Sequence, residues 1–453
     1  VTTRISLAVL CLLAAACGDD DPRTLRLEVI PGHETTAFQD DPPVTRIEVV
    51  ARDTTGVEVA SASAAPGGEL DFGELPADLA LTFNITGVDT TGTPVVRGRS
   101  LSGILLGQVQ GDVLPLFAQR LGGWARPPGT LPFTRSGGIA VPIGERYLAL
   151  TGGAGAGDDP AATVGYDLLG WYGANAVSLP RPARSAISRG NALLIIDGNG
   201  ATVADFVAGT ATEISVPEGL ASFADVAGGY AIEASEGRTF LVGATRAETP
   251  TTGILVVEAD GSLRAAQLSA PRAGAAAAWL DGVGLVVAAG SATAPGIEVL
   301  AATATTAVPH PFPPDPTLGA GAVIGGIGDI VLIGGTREDG SPAATRRLAP
   351  VCITDCDTVA IDGATLPVAL TGMRAFALSG ARAIVVGHEA VQDRPWDRSY
   401  LLDLAVGTAT ELPLREPRMG AAVVPAPNGT LVLLGGVHED GSPALTLEMF
   451  FPE

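Results

Sequence analysis

The stretch Leu412–Pro452, LPLREPRMGAAVVPAPNGTLVLLGGVHEDGSPALTLEMFFP, decides the fold, because most of the chain after about residue 130 can be laid over it as weaker copies. It holds three short β-type runs, Ala421–Pro425, Thr430–Leu434 and Leu445–Phe451. Between them stand Asn428-Gly429, the doublet Gly435-Gly436 and Asp440-Gly441-Ser442-Pro443. Turn residues set between short apolar runs specify hairpins.

The copies share a small-residue strand, a turn, a β-branched strand and glycine. Arg135 opens a unit running to Gly152-Gly153, Arg272 one running to Gly290, Gly319 one running to Gly334-Gly335, and Arg374 one running to Gly387. Fainter units begin near Arg184 and near Ser222. Seven units spaced about 40 to 55 residues apart imply supersecondary modules that bury their faces against one another. The array resembles kelch repeats, four-stranded blades with a glycine doublet after the second strand. That resemblance implies a seven-bladed β-propeller over residues 114–453, with six or eight blades as the alternatives. The last unit holds three strands before Glu453, and an unpaired edge needs a partner. Phe117–Arg126, FAQRLGGWAR, is expected to supply the fourth strand and latch the ring.

Upstream, residues 24–113 carry period-two alternation at Leu25–Val29, Arg46–Val50, Val57–Val59, Leu79–Ile85 and Val95–Leu101. Such alternation buries one face of an antiparallel sheet. The near-duplicate turns Asp53-Thr54-Thr55-Gly56 and Asp89-Thr90-Thr91-Gly92 read as hairpin loops. About seven short strands in this span fit an immunoglobulin-like or transthyretin-like sandwich, expected to act as a spacer or accessory binding module. The chain as a whole is expected to be all-β, since no apolar period of 3.6 residues is sustained after Gly18.

Residues 1–17, VTTRISLAVLCLLAAAC, combine one positive charge at Arg4, a short apolar run and small residues before Cys17. A run of about twelve residues is too short for a bilayer span and suits a signal-peptide core. Ala14-Ala15-Ala16-Cys17 resembles the box of a bacterial lipoprotein signal, which implies lipidation of Cys17, a flexible tether at 18–23 and membrane anchorage on the cell envelope.

The formal net charge is −22. An acidic chain without a basic stripe is a poor match for a phosphate backbone, so nucleic acid is not an expected partner. The 27 basic residues are all arginine, which excludes P-loop and Schiff-base lysine chemistry.

Arg135, Arg184, Arg272, Arg374 and Arg418 recur at the entry to the first strand of a unit, and on a propeller they would ring one mouth of the channel. They are the candidate binding rim for an anionic ligand; the competing reading has each bond a neighbouring unit's carbonyls or carboxylates. The loops after the second strands carry Asp158, Asp159, Glu338, Asp339, Glu439 and Asp440 on the same face. No calcium-loop spacing occurs among them, and Asp-Gly is what a hairpin turn uses. Cys352 and Cys356 are the cysteine pair outside residues 1–17, and after export a short-loop disulfide is expected. The wider kelch-like fold includes the galactose oxidase type of copper enzyme, with two histidines, tyrosines and a tyrosine-linked cysteine. His310, His388 and His438 beside an adjacent cysteine pair do not reproduce that set, so neither metal nor cofactor is expected. The functional expectation is a monomeric, lipid-anchored, non-enzymatic propeller binding a protein or a glycan through its loop face. A propeller hydrolase or lyase acting on polysaccharide, with paired channel carboxylates, is the alternative.

Overall fold

The second run of each repeat is almost wholly apolar, a composition that suits a strand covered on both faces. In the computed structural model, which describes residues 3–4, 26–73, 75, 78–109, 113–155, 159–325, 328–390 and 394–452, these runs are strands. They are Tyr147–Thr151, Ala192–Ile196, Thr239–Val242, Gly284–Ala288, Ile330–Ile333, Arg382–Glu389 and Leu431–Leu434. Each is the second strand of an antiparallel sheet. Counted in chain order, the seven sheets begin at Ile139–Ile143, Ser185–Arg189, Tyr230–Glu233, Ala276–Leu280, Gly321–Ile324, Leu370–Leu378 and Ala422–Pro425. Each has four strands, the second carrying Thr3–Arg4 as a fifth at its outer edge. The chain is all-β; among the described residues the helices are three single 3₁₀ turns.

Alternate residues of each second strand enter different cores, which is the packing consequence of a period of two. Leu431 and Leu433 join Ile384 and Val386 of the sixth sheet, whereas Val432 and Leu434 join Leu148 and Leu150 of the first. The same division repeats along the chain, with one core between each pair of consecutive sheets from the first to the sixth. The contacts are therefore cyclic: every sheet lies between two others, and the seventh meets the first. Backbone hydrogen bonds reinforce the last junction, from Gly137 N–H to Gly420 O at 2.7 Å and from Gly436 N–H to Arg135 O at 2.8 Å.

The seventh sheet departs from chain order. Its fourth strand is Trp124–Ala125, antiparallel to Glu448–Phe450, with Trp124 opposite Phe450 and Ala125 opposite Met449. Phe117–Arg126 is not one strand, however. Val113–Phe117 runs parallel to Arg26–Ile30, and Gln119–Arg120 extends the N-terminal sheet beside Pro94–Arg99. Gly122, with φ of +75°, then turns the chain toward the seventh sheet. The N-terminal unit accordingly runs to about Arg120 rather than stopping at residue 113, because the alternating run Val113–Phe117 sends Leu114 and Leu116 into its core.

That unit comprises a mixed-length antiparallel sheet, in the order Glu58–Ala64, Arg46–Arg52, Ala80–Val88, Pro94–Arg99, Gln119–Arg120, and the parallel pair just described. Its two duplicate turns have duplicate chemistry. Asp53 Oδ1 accepts from Thr55 N–H, Thr55 Oγ1 and Val57 N–H, and Asp89 Oδ1 does the same with Thr91 and Thr93. The core of this unit is continuous with the seam between the seventh and first sheets. Trp171 packs on Phe117 at 5.5 Å and donates from Nε1 to Pro115 O, while Gln119 donates to Met449 O. A free spacer would not share its core, so the unit is fixed on the seam.

The glycine doublet has a conformational cause. Gly152-Gly153, Gly334-Gly335 and Gly435-Gly436 all have positive φ, the left-handed region that favours glycine. The fourth sheet keeps the geometry with Ala289 at φ +63° before Gly290, which is why the doublet is hidden in its sequence.

Candidate functional site

The described loop acids are turn-makers. Asp339 Oδ1 accepts from Ser341 N–H at 2.9 Å, Asp440 Oδ1 from Ser442 N–H at 2.9 Å, and Gly340 and Gly441 follow at φ +80° and +79°. Asp159 accepts from Ser178 Oγ at 2.7 Å and Ala161 N–H at 2.9 Å. Serine hydroxyls and backbone N–H groups stabilise the ionised form of all three, and their carboxyls lie below the ordinary aspartate value. Glu439 pairs with Arg394 across the sixth and seventh sheets, and Glu338 is exposed. Asp158, Cys17, the apolar run before it and the tether acids Asp19, Asp20 and Asp21 lie outside the described residues. No described helix is long and apolar enough to cross a membrane. Cys352 and Cys356 are joined as a disulfide at the outer side of the fifth sheet.

The five arginines do not form one ring, and strand register supplies the reason. Residues opposite the last position before the doublet, or before its equivalent, are Ile139, Ser185, Tyr230, Ala276, Gly321, Arg374 and Ala422. Four places earlier stand Arg135, Arg181, Val226, Arg272, Thr317 and Arg418, and in the sixth sheet, where a bulge adds one residue, Ala369 holds that level because Leu370 pairs with Glu389 as Met419 pairs with Val437. The recurrent structural arginine of the second sheet is thus Arg181, not Arg184, and Arg374 belongs to a different layer from Arg418.

All four arginines of the true layer are bonded. Arg272 and Glu298 are both fully buried, with Nε to Oε1 at 3.0 Å and Nη1 to Ala289 O at 2.8 Å. Arg418, equally buried, reaches Glu448, Glu416 and the carbonyls of Gly435 and Thr446. Arg181 bonds Asp197, Glu213 and Thr202, and Arg135 donates to Asp159 O. The fifth sheet has Thr317 at the arginine position and carries its cation on the third strand instead. Arg346 takes the third-strand position of Glu298 and Glu448, and it bonds Asp315 on the approach. Each of these arginines is bonded to carboxylates, hydroxyls or carbonyls of its own sheet rather than of a neighbouring unit, and is spent on them. Arg184 is exposed.

Arg374 stands elsewhere. Its guanidinium lies 4.9 Å from the ring centroid of Tyr230 and 6.0 Å from that of Phe376. Tyr230 is on the third sheet and Arg374 on the sixth, with two sheets between them on one side and three on the other. First strands of successive sheets touch from the first sheet to the sixth, and the first touches the seventh, so this contact joins first strands of sheets that are not neighbours. Burial depresses the Arg374 guanidinium, with Tyr230 and Glu233 acting in the opposite sense; burial also raises the Tyr230 phenol.

A bulge between Thr371 and Arg374 shapes the same place, with Gly372 at φ +59°. Bulges re-aim side chains beside functional sites. A methyl group on Gly372 would lie 3.4 Å from His388 Nε2 and 3.5 Å from the Tyr230 hydroxyl. His388 occupies the second position of the doublet, and its Nδ1 hydrogen-bonds Asp397. The Asp397 carboxylate also accepts from Gly420 N–H at 3.1 Å and Ala421 N–H at 2.8 Å, which ties the sixth sheet to the seventh.

Tyr230, His388 and Asp397 were not legible as a group from sequence motifs. The available signal was departure from the repeat, since Tyr230 and Arg374 are the two large polar residues at a position otherwise held by Ile, Ser, Ala or Gly. Among the described residues, no cluster of three or more His, Cys, Asp or Glu side chains is arranged to hold a metal ion. No protein-family model matches the chain, and no curated protein matches it.

Proposed function

We propose that the cyclic array of seven sheets is a kelch-like seven-bladed propeller of a lipid-anchored cell-envelope protein, and that its loop face binds a protein or glycan partner without catalysis. The observation that carries this reading is the state of the loop acids: Asp159, Asp339 and Asp440 are held ionised within tight turns. They make a rigid, negatively charged recognition surface, whereas a general acid needs a carboxyl whose pKa is pushed up toward the working pH. Among the described residues, the carboxyl displaced upward is Glu448, by burial, against Arg418 and the N–H groups of Arg415 and Glu416. It is fully buried and already engaged, so it does not answer to the polysaccharide hydrolase or lyase alternative.

Two experiments test the reading. Cys17→Ala should move the protein from the membrane to the soluble fraction, and unchanged fractionation refutes the anchor. The protein and a variant carrying Asp159→Asn, Asp339→Asn and Asp440→Asn, which keeps a side-chain acceptor in each turn but removes the charge, should be compared on arrays of envelope glycans and by capture of envelope proteins with direct measurement of affinity. Binding weakened about tenfold or more is expected for the variant. Equal binding refutes the loop face as the surface.

A further inference from the structure

We propose that Tyr230, Arg374 and His388 form a binding site between the third and sixth sheets for a small hydroxycarboxylate, such as a single sugar acid. The cation comes first. Arg374 is stacked against two rings, yet among the described residues no carboxylate or carbonyl accepts a hydrogen bond from it. Arg181, Arg272 and Arg418 are bonded to carboxylates and carbonyls at distances near 3 Å. A planar guanidinium held in place with its fork unspent is matched by the two oxygens of a carboxylate. The Tyr230 hydroxyl, also without a partner among the described residues, borders the same space and supplies a further donor.

His388 adds the hydroxyl requirement. Asp397 accepts from two backbone N–H groups and from Nδ1 of His388, so a proton sits on Nδ1 and Nε2 faces Gly372 without a protein partner among the described residues, open to a hydroxyl, which can donate or accept there. His388 Nε2 shares the space at Gly372 with the hydroxyl of Tyr230, whose ring lies against Arg374, so the site suits a ligand that carries a hydroxyl as well as a carboxylate. Size and charge limit the ligand further. Gly372 leaves the space that a side chain would take, and Tyr230 and Arg374 reach each other beside it. The chain's net charge of −22 repels polyanions, which favours a ligand with a single negative charge.

This site does not depend on the loop-face partner, and the two can fail separately. Calorimetric titration of the full chain with D-gluconate, acetate and D-glucose, at constant ionic strength, tests it. Gluconate is expected to bind about tenfold or more tightly than acetate, with no heat from glucose. Arg374→Gln should weaken both acids about tenfold or more, and Arg374→Lys, which keeps the charge but not the fork, should fall between. His388→Ala should bring gluconate down to the affinity of acetate while leaving acetate unchanged. Wild-type protein that does not distinguish gluconate from glucose overturns the proposal, as does Arg374→Gln binding like wild type. Should Arg374→Gln fail to fold, Arg374→Lys and His388→Ala decide the matter by the same two criteria.

Discussion

Trp124→Ala tests how the seventh sheet is completed. Trp124 is 1% exposed, lies against Ile384, Val386, Leu431, Leu433 and Phe450, and donates from Nε1 to Ser399 Oγ at 2.7 Å. A buried tryptophan removes about 150–250 Å² from water, which at about 25 cal/mol/Å² corresponds to about 4–6 kcal/mol. Measured truncations of buried aromatics cost about 3–5 kcal/mol, so about 4 kcal/mol is the working value. Unfolding entropy near 2.1 cal/mol/K per residue gives about 0.95 kcal/mol/K for a cooperative chain of 453 residues. The expected fall in Tm is therefore about 4 °C. Trp124→Phe retains most of the apolar contact and loses one hydrogen bond, about 1 kcal/mol or about 1 °C. Calorimetry supplies Tm, and hydrogen exchange locates the effect, which should concentrate in Leu431–Leu434 and Glu448–Phe450. An alanine variant with Tm within about 1 °C of wild type and unchanged exchange in those strands would falsify the closure reasoning.

Two further outcomes follow from the buried charges. Glu298→Ala leaves Arg272 charged and fully buried, so a loss of about 3–5 kcal/mol is expected by denaturant titration; the double variant Arg272→Met, Glu298→Ala removes the unpaired charge and should recover at least part of it, and no recovery would refute the buried charge as the cause of the loss. Burial pushes the Asp167 carboxyl up, but Arg146 and the N–H groups of Leu169 and Gly170 outweigh it and hold the pKa below 3.8. A folded pKa below the unfolded value contributes stability that is present above pH 3.8 and lost as pH falls through the folded value. Asp167→Asn should thus lower Tm near neutrality and flatten its acid-side decline, and parallel Tm profiles for the two proteins would contradict the assignment.

Much of the sheet pattern was legible because it rests on local rules. Leu431–Leu434 is apolar throughout because it is covered on both faces, and Asp440-Gly441-Ser442 turns because an aspartate accepts from the residue two places on while glycine takes positive φ. The functional residues were less legible, for a reason visible in Arg184 and Arg374. Both were aligned with Arg418 by proximity to a small-residue run, whereas pairing register puts Arg181 in that layer and moves Arg374 four places along. A bulge between Thr371 and Arg374 adds one residue that no count along the chain can detect.

The amino-acid sequence by itself determined the all-β class, the recurrence of one hairpin-rich unit and the turns between strands, since propensity, period-two patterning and turn chemistry act over a few residues. Tertiary structure alone decided the rest. That only Trp124–Ala125 of the expected segment Phe117–Arg126 completes the sheet begun at Ala422, that the N-terminal core merges with the seam, and that Tyr230 meets Arg374 from a non-neighbouring sheet are contacts between residues more than a hundred positions apart. Such contacts are fixed by the mutual burial of whole sheets and by register, neither of which is encoded in any single stretch of the chain.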